Sequence, residues 1–503
     1  MSAEPRSRSF VGHAATYAIG NVARKLVGFL MLPVYTRFLT PADYGVIGLL
    51  TFALAVLEPI FGARLGRAIP KFYYESADPR SKSAVIWGAI SLTSIVSAVS
   101  MVALILFRGV GSRLLFGDDK YALALGLFSV NLLTRPIEDT GLMYVRMRER
   151  SRLFLGISLT KLLLQLLLNL VLVVYWNGGV IGVVLSGIIS SVVVGGGLVA
   201  YVAMNVPPTL DGKMIVRMLK FCWPLWFSGL AGLYVASSGA MYLRIFGSLS
   251  DVGRLELAIR FATAVGMLVW APFFQHWEPM SYRYYNEPGG NRKFQVAFIA
   301  MGALLFSGGL GVSIFAQPVI RFMAAKSFAS AAGIVPILTL GFILNSLRSF
   351  FNFSFLATGK TKIQSLNLYI TAVVITVAYT LLIPRFGLSG AAVGWGLTSS
   401  ASFVYIRMIS RRYYDPGFDL GPVWAFAMIG IAAYLCSNVL FRVGNSAINL
   451  LIKSSVLLVA SGFIALIALR AIRGVDESVF KGLPWPLNVL HQGPRKSQTR
   501  TDL

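Results

Sequence analysis

Residues 17–50 read YAIGNVARKLVGFLMLPVYTRFLTPADYGVIGLL, and the fold turns on how this stretch is explained. The apolar run that contains its first half, residues 10–38, exceeds the roughly 20 residues needed to cross a bilayer. Arg24 and Lys25 stand inside that run. A charge in hydrocarbon costs roughly 2.5–3.5 kcal/mol on insertion scales, so such residues face water or a partner. Asn21, Arg24 and Gly28 share one helical face, with Lys25 beside them. Thr40-Pro41-Ala42-Asp43 then turns the chain into a second apolar helix near Tyr44 and Gly45. The stretch therefore reads as a membrane helix that presents cations to a cavity.

Composition extends this reading to the whole chain. Of 503 residues, 56% are hydrophobic and only 13% charged, which is the signature of a polytopic membrane protein. No segment between apolar runs is long enough to build a soluble core. The net charge of +25 lies mostly in short loops, which points to membrane orientation and excludes nucleic acid as the partner. Cys222 and Cys436 both sit in apolar stretches, so no disulfide framework is expected. The polar residues 1–9 precede a run too long for a signal-peptide core, so the first helix is expected to stay uncleaved.

Apolar runs of spanning length fall at 10–38, 45–63, 83–107, 121–143, 153–175 and 179–204, then at 219–246, 252–275, 294–316, 331–356, 364–383 and 387–408, and finally at 423–441 and 447–470. The expected fold is all-α, about fourteen transmembrane helices. With the N-terminus inside, the cytoplasmic loops carry twenty Lys and Arg and the opposite loops ten. That bias, with an even helix number, puts both termini in the cytoplasm. Residues 474–503, rich in proline and charge, are expected to form a disordered cytoplasmic tail.

An internal repeat divides the helices. Phe38, Asp43, Gly45 and Leu49 recur as Phe246, Asp251, Gly253 and Leu257. Gly179, Gly182 and Ser191 recur as Gly387, Gly390 and Ser399, at the same offset of 208. Six helices separate the copies, so the copies share one orientation. Two parallel-repeat lobes of six helices follow, 1–208 and 209–416, with 417–473 supplying two further helices.

Three other helices carry polar stripes. Ser158, Lys161, Gln165 and Asn169 line one face of the fifth run, and Asn345, Arg348 and Asn352 one face of the tenth. Glu58 stands before Pro59 in the second. Such stripes serve either as hydrogen-bonded helix seams or as cavity walls. For the asparagines and Gln165 a seam is as good a reading as a site. Arg24, Lys25, Lys161 and Arg348 have no acid within a turn on their own helices, whereas Arg135 has Glu138 and Asp139 three and four residues on. Four cations against the one intramembrane acid Glu58 describe a positive cavity suited to an anionic ligand. Glu58 itself is the candidate for coupling or for an ion pair. No phosphate-binding loop, metal cluster or nucleophile–base set is present in the sequence, and His13, His276 and His491 are isolated; no cofactor and no enzyme activity are expected.

The opening GNVARKLVGFLMLPVYTRFLTPADYGVIGLLTF resembles that of bacterial polysaccharide transporters in the multidrug/oligosaccharidyl-lipid/polysaccharide exporter superfamily. The matching features are a polar-faced helix, then Arg37, Leu39, Thr40-Pro41 and Tyr44-Gly45. The resemblance implies a flippase of the bacterial inner membrane that moves an undecaprenyl-pyrophosphate-linked glycan outward by alternating access. It implies use in O-antigen, capsule or exopolysaccharide biosynthesis, with a polymerase and glycosyltransferases as further partners, and a monomer. Arg24 matches the arginine that related lipid II flippases carry in the first helix. The second lobe departs from the pattern, with Gly232 at the place corresponding to Arg24. The substrate-binding set is thus Asn21, Arg24, Lys25, Lys161 and Arg348. Two alternatives stand beside it: a multidrug exporter of the same superfamily, which commonly needs inward-facing acids, and a membrane scaffold without transport.

Overall fold

The computed structural model describes residues 30–61, 65, 68–76, 78–440 and 446–473. Asn21, Arg24, Lys25, the side chain of Glu58 and the tail from 474 lie outside the described residues.

The described chain is helical throughout, with no strand. Its helices are α1 (Leu32–Phe38), α2 (Pro41–Phe61), α3 (Ile69–Glu75), α4 (Pro79–Leu106), α5 (Arg108–Phe116), α6 (Ala122–Phe128), α7 (Val130–Met147), α8 (Ser151–Asn169), α9 (Gly179–Asn205) and α10 (Gly212–Phe246). They continue as α11 (Leu249–Val265), α12 (Ala271–Tyr285), α13 (Gly290–Met323), α14 (Ala331–Ala357), α15 (Thr361–Ser410), α16 (Gly421–Leu435) and α17 (Ser446–Ile472). Among the described residues, nine helices are long and apolar enough to cross a membrane. Their outward faces carry large apolar side chains, such as Leu106 at 74% and Leu458 at 73% exposure, as lipid-facing surfaces do.

Local chemistry explains the boundaries. Thr40 Oγ1 donates to Asp43 at 2.7 Å while the Asp43 N–H donates back to Thr40 Oγ1 at 3.2 Å, a reciprocal cap at the start of α2. Ser248 and Asp251 repeat the arrangement at the start of α11, at 2.8 and 3.1 Å. The second repeated motif is equally visible. Gly179 and Gly387 both hold φ of 51°, a conformation that favours glycine. Gly179 opens α9, and Gly387 turns the chain sharply within α15, so that its two halves are separate helical arms.

Two compact units emerge. The first comprises the described parts of Met1–Leu257, Ile320–Ala331 and Leu368–Ala391. Within it Leu65, Ile69, Phe72, Val85, Ile86, Tyr144, Met218 and Cys222 form one buried cluster. Gly45 packs its backbone against α11: a Cβ there would lie 2.0 Å from the Leu249 carbonyl oxygen, and one on Gly253 would lie 1.9 Å from that of Pro41. The second unit comprises the described parts of Ala258–Val319, Ala332–Asn367 and Ala392–Leu503. Its core is aromatic, with Phe273 stacked on Trp277 at 5.6 Å and Phe298 against Phe418 at 4.9 Å.

Candidate functional site

In the first unit, α8 is a leucine-rich rod whose polar residues fall on one face, and that face meets α7 and α9. Lys161 Nζ donates to the Glu138 carboxylate of α7 and, at 3.2 Å, to Ser191 Oγ of α9. Glu138 is 4% exposed. The expectation that Lys161 lacks an acid held only for its own helix; its counter-charge comes from a neighbour 23 positions away. Glu138, read from spacing as a local partner of Arg135, is instead turned to this lysine. The signal that would have found it is a carboxylate two residues after Pro136, deep in a spanning run.

Two turns further along α8, Asn169 is fully buried. Its Oδ1 accepts from Tyr35 Oη at 3.0 Å and from Ser186 Oγ at 2.9 Å. Its Nδ2 donates to the Gln165 carbonyl at 2.8 Å. This is a helix seam: one amide ties α1, α8 and α9 together. Ser158 donates to the Phe154 carbonyl of its own helix at 2.8 Å.

In the second unit, Arg348 projects from the middle of α14 between the half-buried Asn345 and Asn352. Its Nη1 donates to Ser402 Oγ of α15 at 2.5 Å. Its Nε is buried without a hydrogen-bond partner, and among the described residues no carboxylate pairs with it. A guanidinium carries five donors in a planar fork. Most of that fork is left to be satisfied here, and its geometry matches phosphate or carboxylate oxygens.

Two other buried cations are engaged differently. Arg407, 3% exposed, grips Asp415 with Nη1 and Nη2 at 2.8 and 3.0 Å. Lys453 of α17 donates to the Ile314 carbonyl at 2.9 Å and to Asn438 Oδ1 at 2.5 Å. Sequence reasoning singled out neither, because their partners lie on other segments. Among the described residues no group of three His, Cys, Asp or Glu is arranged to hold a metal.

Residues 11–284 match the model of a family described as polysaccharide biosynthesis protein. No curated protein matches the sequence. Among solved structures, the lipid II flippase MurJ in an inward closed conformation superposes with a TM-score of 0.70 at 13% identity, covering 92% of this chain and 98% of that one. An inward-facing multidrug resistance MATE family transporter of the MOP superfamily gives 0.62 at 14% identity, covering 82% and 96%. The MATE multidrug transporter DinF-BH in complex with R6G gives 0.58 at 15% identity, covering 82% and 97%. The fold is therefore that of a polytopic membrane protein of the MurJ and MATE kind.

Proposed function

The chain belongs to the polysaccharide biosynthesis protein family, and on that premise we propose that it is a flippase for a polyprenyl-diphosphate-linked oligosaccharide. The observation that carries the reading is Arg348: a guanidinium inside a spanning helix with one hydroxyl partner and an unsatisfied Nε. Such a group is costly in hydrocarbon unless it meets an anion, and a diphosphate presents oxygens in the geometry of its fork. Arg24, Lys25 and Asn21 of the first helix, and Lys161 when it leaves Glu138, complete the proposed set. Access alternates between two lobes, 1–208 and 209–416, in the cytoplasmic membrane of a bacterium with both termini inside. The protein acts as a transporter, not as an enzyme, beside a polymerase and glycosyltransferases.

A multidrug exporter is the competing reading, and the likeness to MATE structures favours it. That chemistry needs a carboxylate free to hold an organic cation. In this structure the Glu138 carboxylate is paired with Lys161, and the side chain of Glu58, the acid singled out in the sequence, lies outside the described residues.

Complementation of a flippase-deficient strain, scored by surface glycan and by membrane abundance, tests the proposal. Arg24→Ala and Arg348→Ala should insert normally and lower surface glycan at least about tenfold, which corresponds to about 1.4 kcal/mol of lost transition-state or binding energy. Arg348→Lys should lose less, because an ammonium still attracts phosphate as a point charge. Normal glycan with Arg348→Ala, or loss explained entirely by missing protein, contradicts the reading.

A further inference from the structure

Lys453 is a buried cation that the carrier-binding reading does not use, and its partners point to a different task. It stands in α17, 2% exposed, and α13, α16 and α17 carry no Asp or Glu. Its Nζ donates to the Ile314 carbonyl of α13 at 2.9 Å and to Asn438 Oδ1 at 2.5 Å. Asn438 lies in the π-helical turn Cys436–Leu440 that follows α16. There its Nδ2 donates to Ser437 Oγ at 3.0 Å and to the Tyr434 carbonyl at 3.3 Å, which fixes the amide with its oxygen toward the lysine. Leu310 and Ile314 of α13, Ala433 of α16 and Ala460 of α17 form one apolar cluster beside this contact. Within the second unit, three helical segments thus meet on one ammonium.

The Ile314 carbonyl is the informative acceptor. In an uninterrupted helix it takes the N–H of residue 318, and residue 318 is proline. Proline has no N–H to give, and its ring presses on the carbonyl four residues earlier. The hydrogen-bond ladder of α13 is therefore broken at Ile314, and the ammonium fills the gap. The repeat supplies an independent argument. At the offset of 208, Leu106 and Val110 stand in place of Ile314 and Pro318. Leu106 ends α4 and is 74% exposed, whereas Ile314 is fully buried. The proline, and the cation that covers its carbonyl, come with residues 417–473, which follow the second copy of the repeat. The first unit takes α13 up from Ile320, two residues past Pro318. The broken rung lies where the helix leaves the second unit.

We propose that Lys453 is a positioning residue that latches residues 417–473 onto the proline gap of α13 and sets how freely α13 flexes there. The latch follows from the contacts alone; its effect on transport rests on the flippase reading. With the ammonium in place, a bond from another helix closes the gap, and the last turn of α13 keeps its direction. A charged donor does this better than a neutral one, because hydrogen bonds from an ionised group are the stronger kind. Without Lys453 a carbonyl is left unmet in apolar surroundings and the ladder opens more often.

Amide hydrogen exchange on the full-length protein in lipid nanodiscs tests the latch. Lys453→Met should speed exchange over residues 319–323 about tenfold, the low end of what a hydrogen bond to a charged group contributes. Pro318→Ala returns the missing N–H to Ile314, so adding Lys453→Met in that background should speed exchange by less than about threefold. The latch is overturned if Lys453→Met exchanges like wild type, or if its effect is as large with Pro318→Ala as without it. It is equally overturned if exchange rises by the same factor in α11, since that marks a general loss of stability. In vesicles holding a fluorescent sugar on undecaprenyl diphosphate, Lys453→Met should slow translocation at least about threefold at equal protein content. Wild-type translocation by Lys453→Met overturns the positioning role. If the exchange pattern is as expected but the wild-type protein moves no sugar, the flippase reading fails and the latch stands.

Discussion

A guanidinium keeps its charge in any environment, so its partners decide its role. Arg407 and Arg348 are the contrasting cases in the second unit. Arg407 is spent on Asp415 and on the Phe418 carbonyl at 3.1 Å, closing the loop after α15. Burial pushes the Asp415 carboxyl up, but hydrogen bonds from Arg407 and the Gly417 N–H, with the charge of Arg407, more than offset it and hold the carboxyl below its usual range. A group lowered in the folded state stabilises fully above its unfolded value and loses that contribution as pH falls through the folded one. The thermal midpoint of Asp415→Asn in detergent should therefore lie below wild type by a constant amount from pH 7 to 5, and the gap should narrow below about pH 4. A gap independent of pH down to pH 3 contradicts this account of the loop. Arg348 was legible in the sequence because nothing acidic stands near it on its helix. Lys161 was legible only by half: spacing along α8 cannot show Glu138 on α7.

At the scale of elements, the repeat at offset 208 was readable because it falls on residues whose backbone demands are unusual. Gly179 and Gly387 take the same positive φ, and Thr40–Asp43 and Ser248–Asp251 build the same cap. Less readable was the use made of Gly45 and Gly253. They bring the first turns of α2 and α11 into backbone contact, an approach that any side chain blocks. Gly45→Ala or Gly253→Ala should each cost about 1–3 kcal/mol, read as a lowered thermal midpoint and reduced membrane abundance. Gly196→Ala, with nothing within 4 Å of its added Cβ, should leave both unchanged or improved. Equal behaviour of all three variants contradicts the close approach. The polar stripe of α8 shows the limit of periodicity: one face held both the Asn169 seam and the Lys161 ion pair, and only interhelical geometry separates them.

At the scale of the whole molecule, hydropathy alone announced an all-helical membrane protein, because a bilayer leaves the backbone few other ways to satisfy its hydrogen bonds. The repeat, not hydropathy, suggested a grouping of helices, as lobes 1–208 and 209–416; the packing inside each compact unit was not announced. It depends on contacts such as Trp277 against Phe350 at 5.3 Å, across a separation that no local pattern encodes. The central claim is that intramembrane cations serve a diphosphate-bearing lipid. Reconstituted vesicles holding a fluorescent sugar on undecaprenyl diphosphate measure that claim directly, as the rate at which the sugar becomes accessible to an impermeant quencher. The wild-type protein should accelerate exposure well above protein-free vesicles, and Arg348→Ala should bring it at least about tenfold closer to that background. Vesicles in which the wild-type protein moves no lipid but expels a lipophilic organic cation would contradict the account.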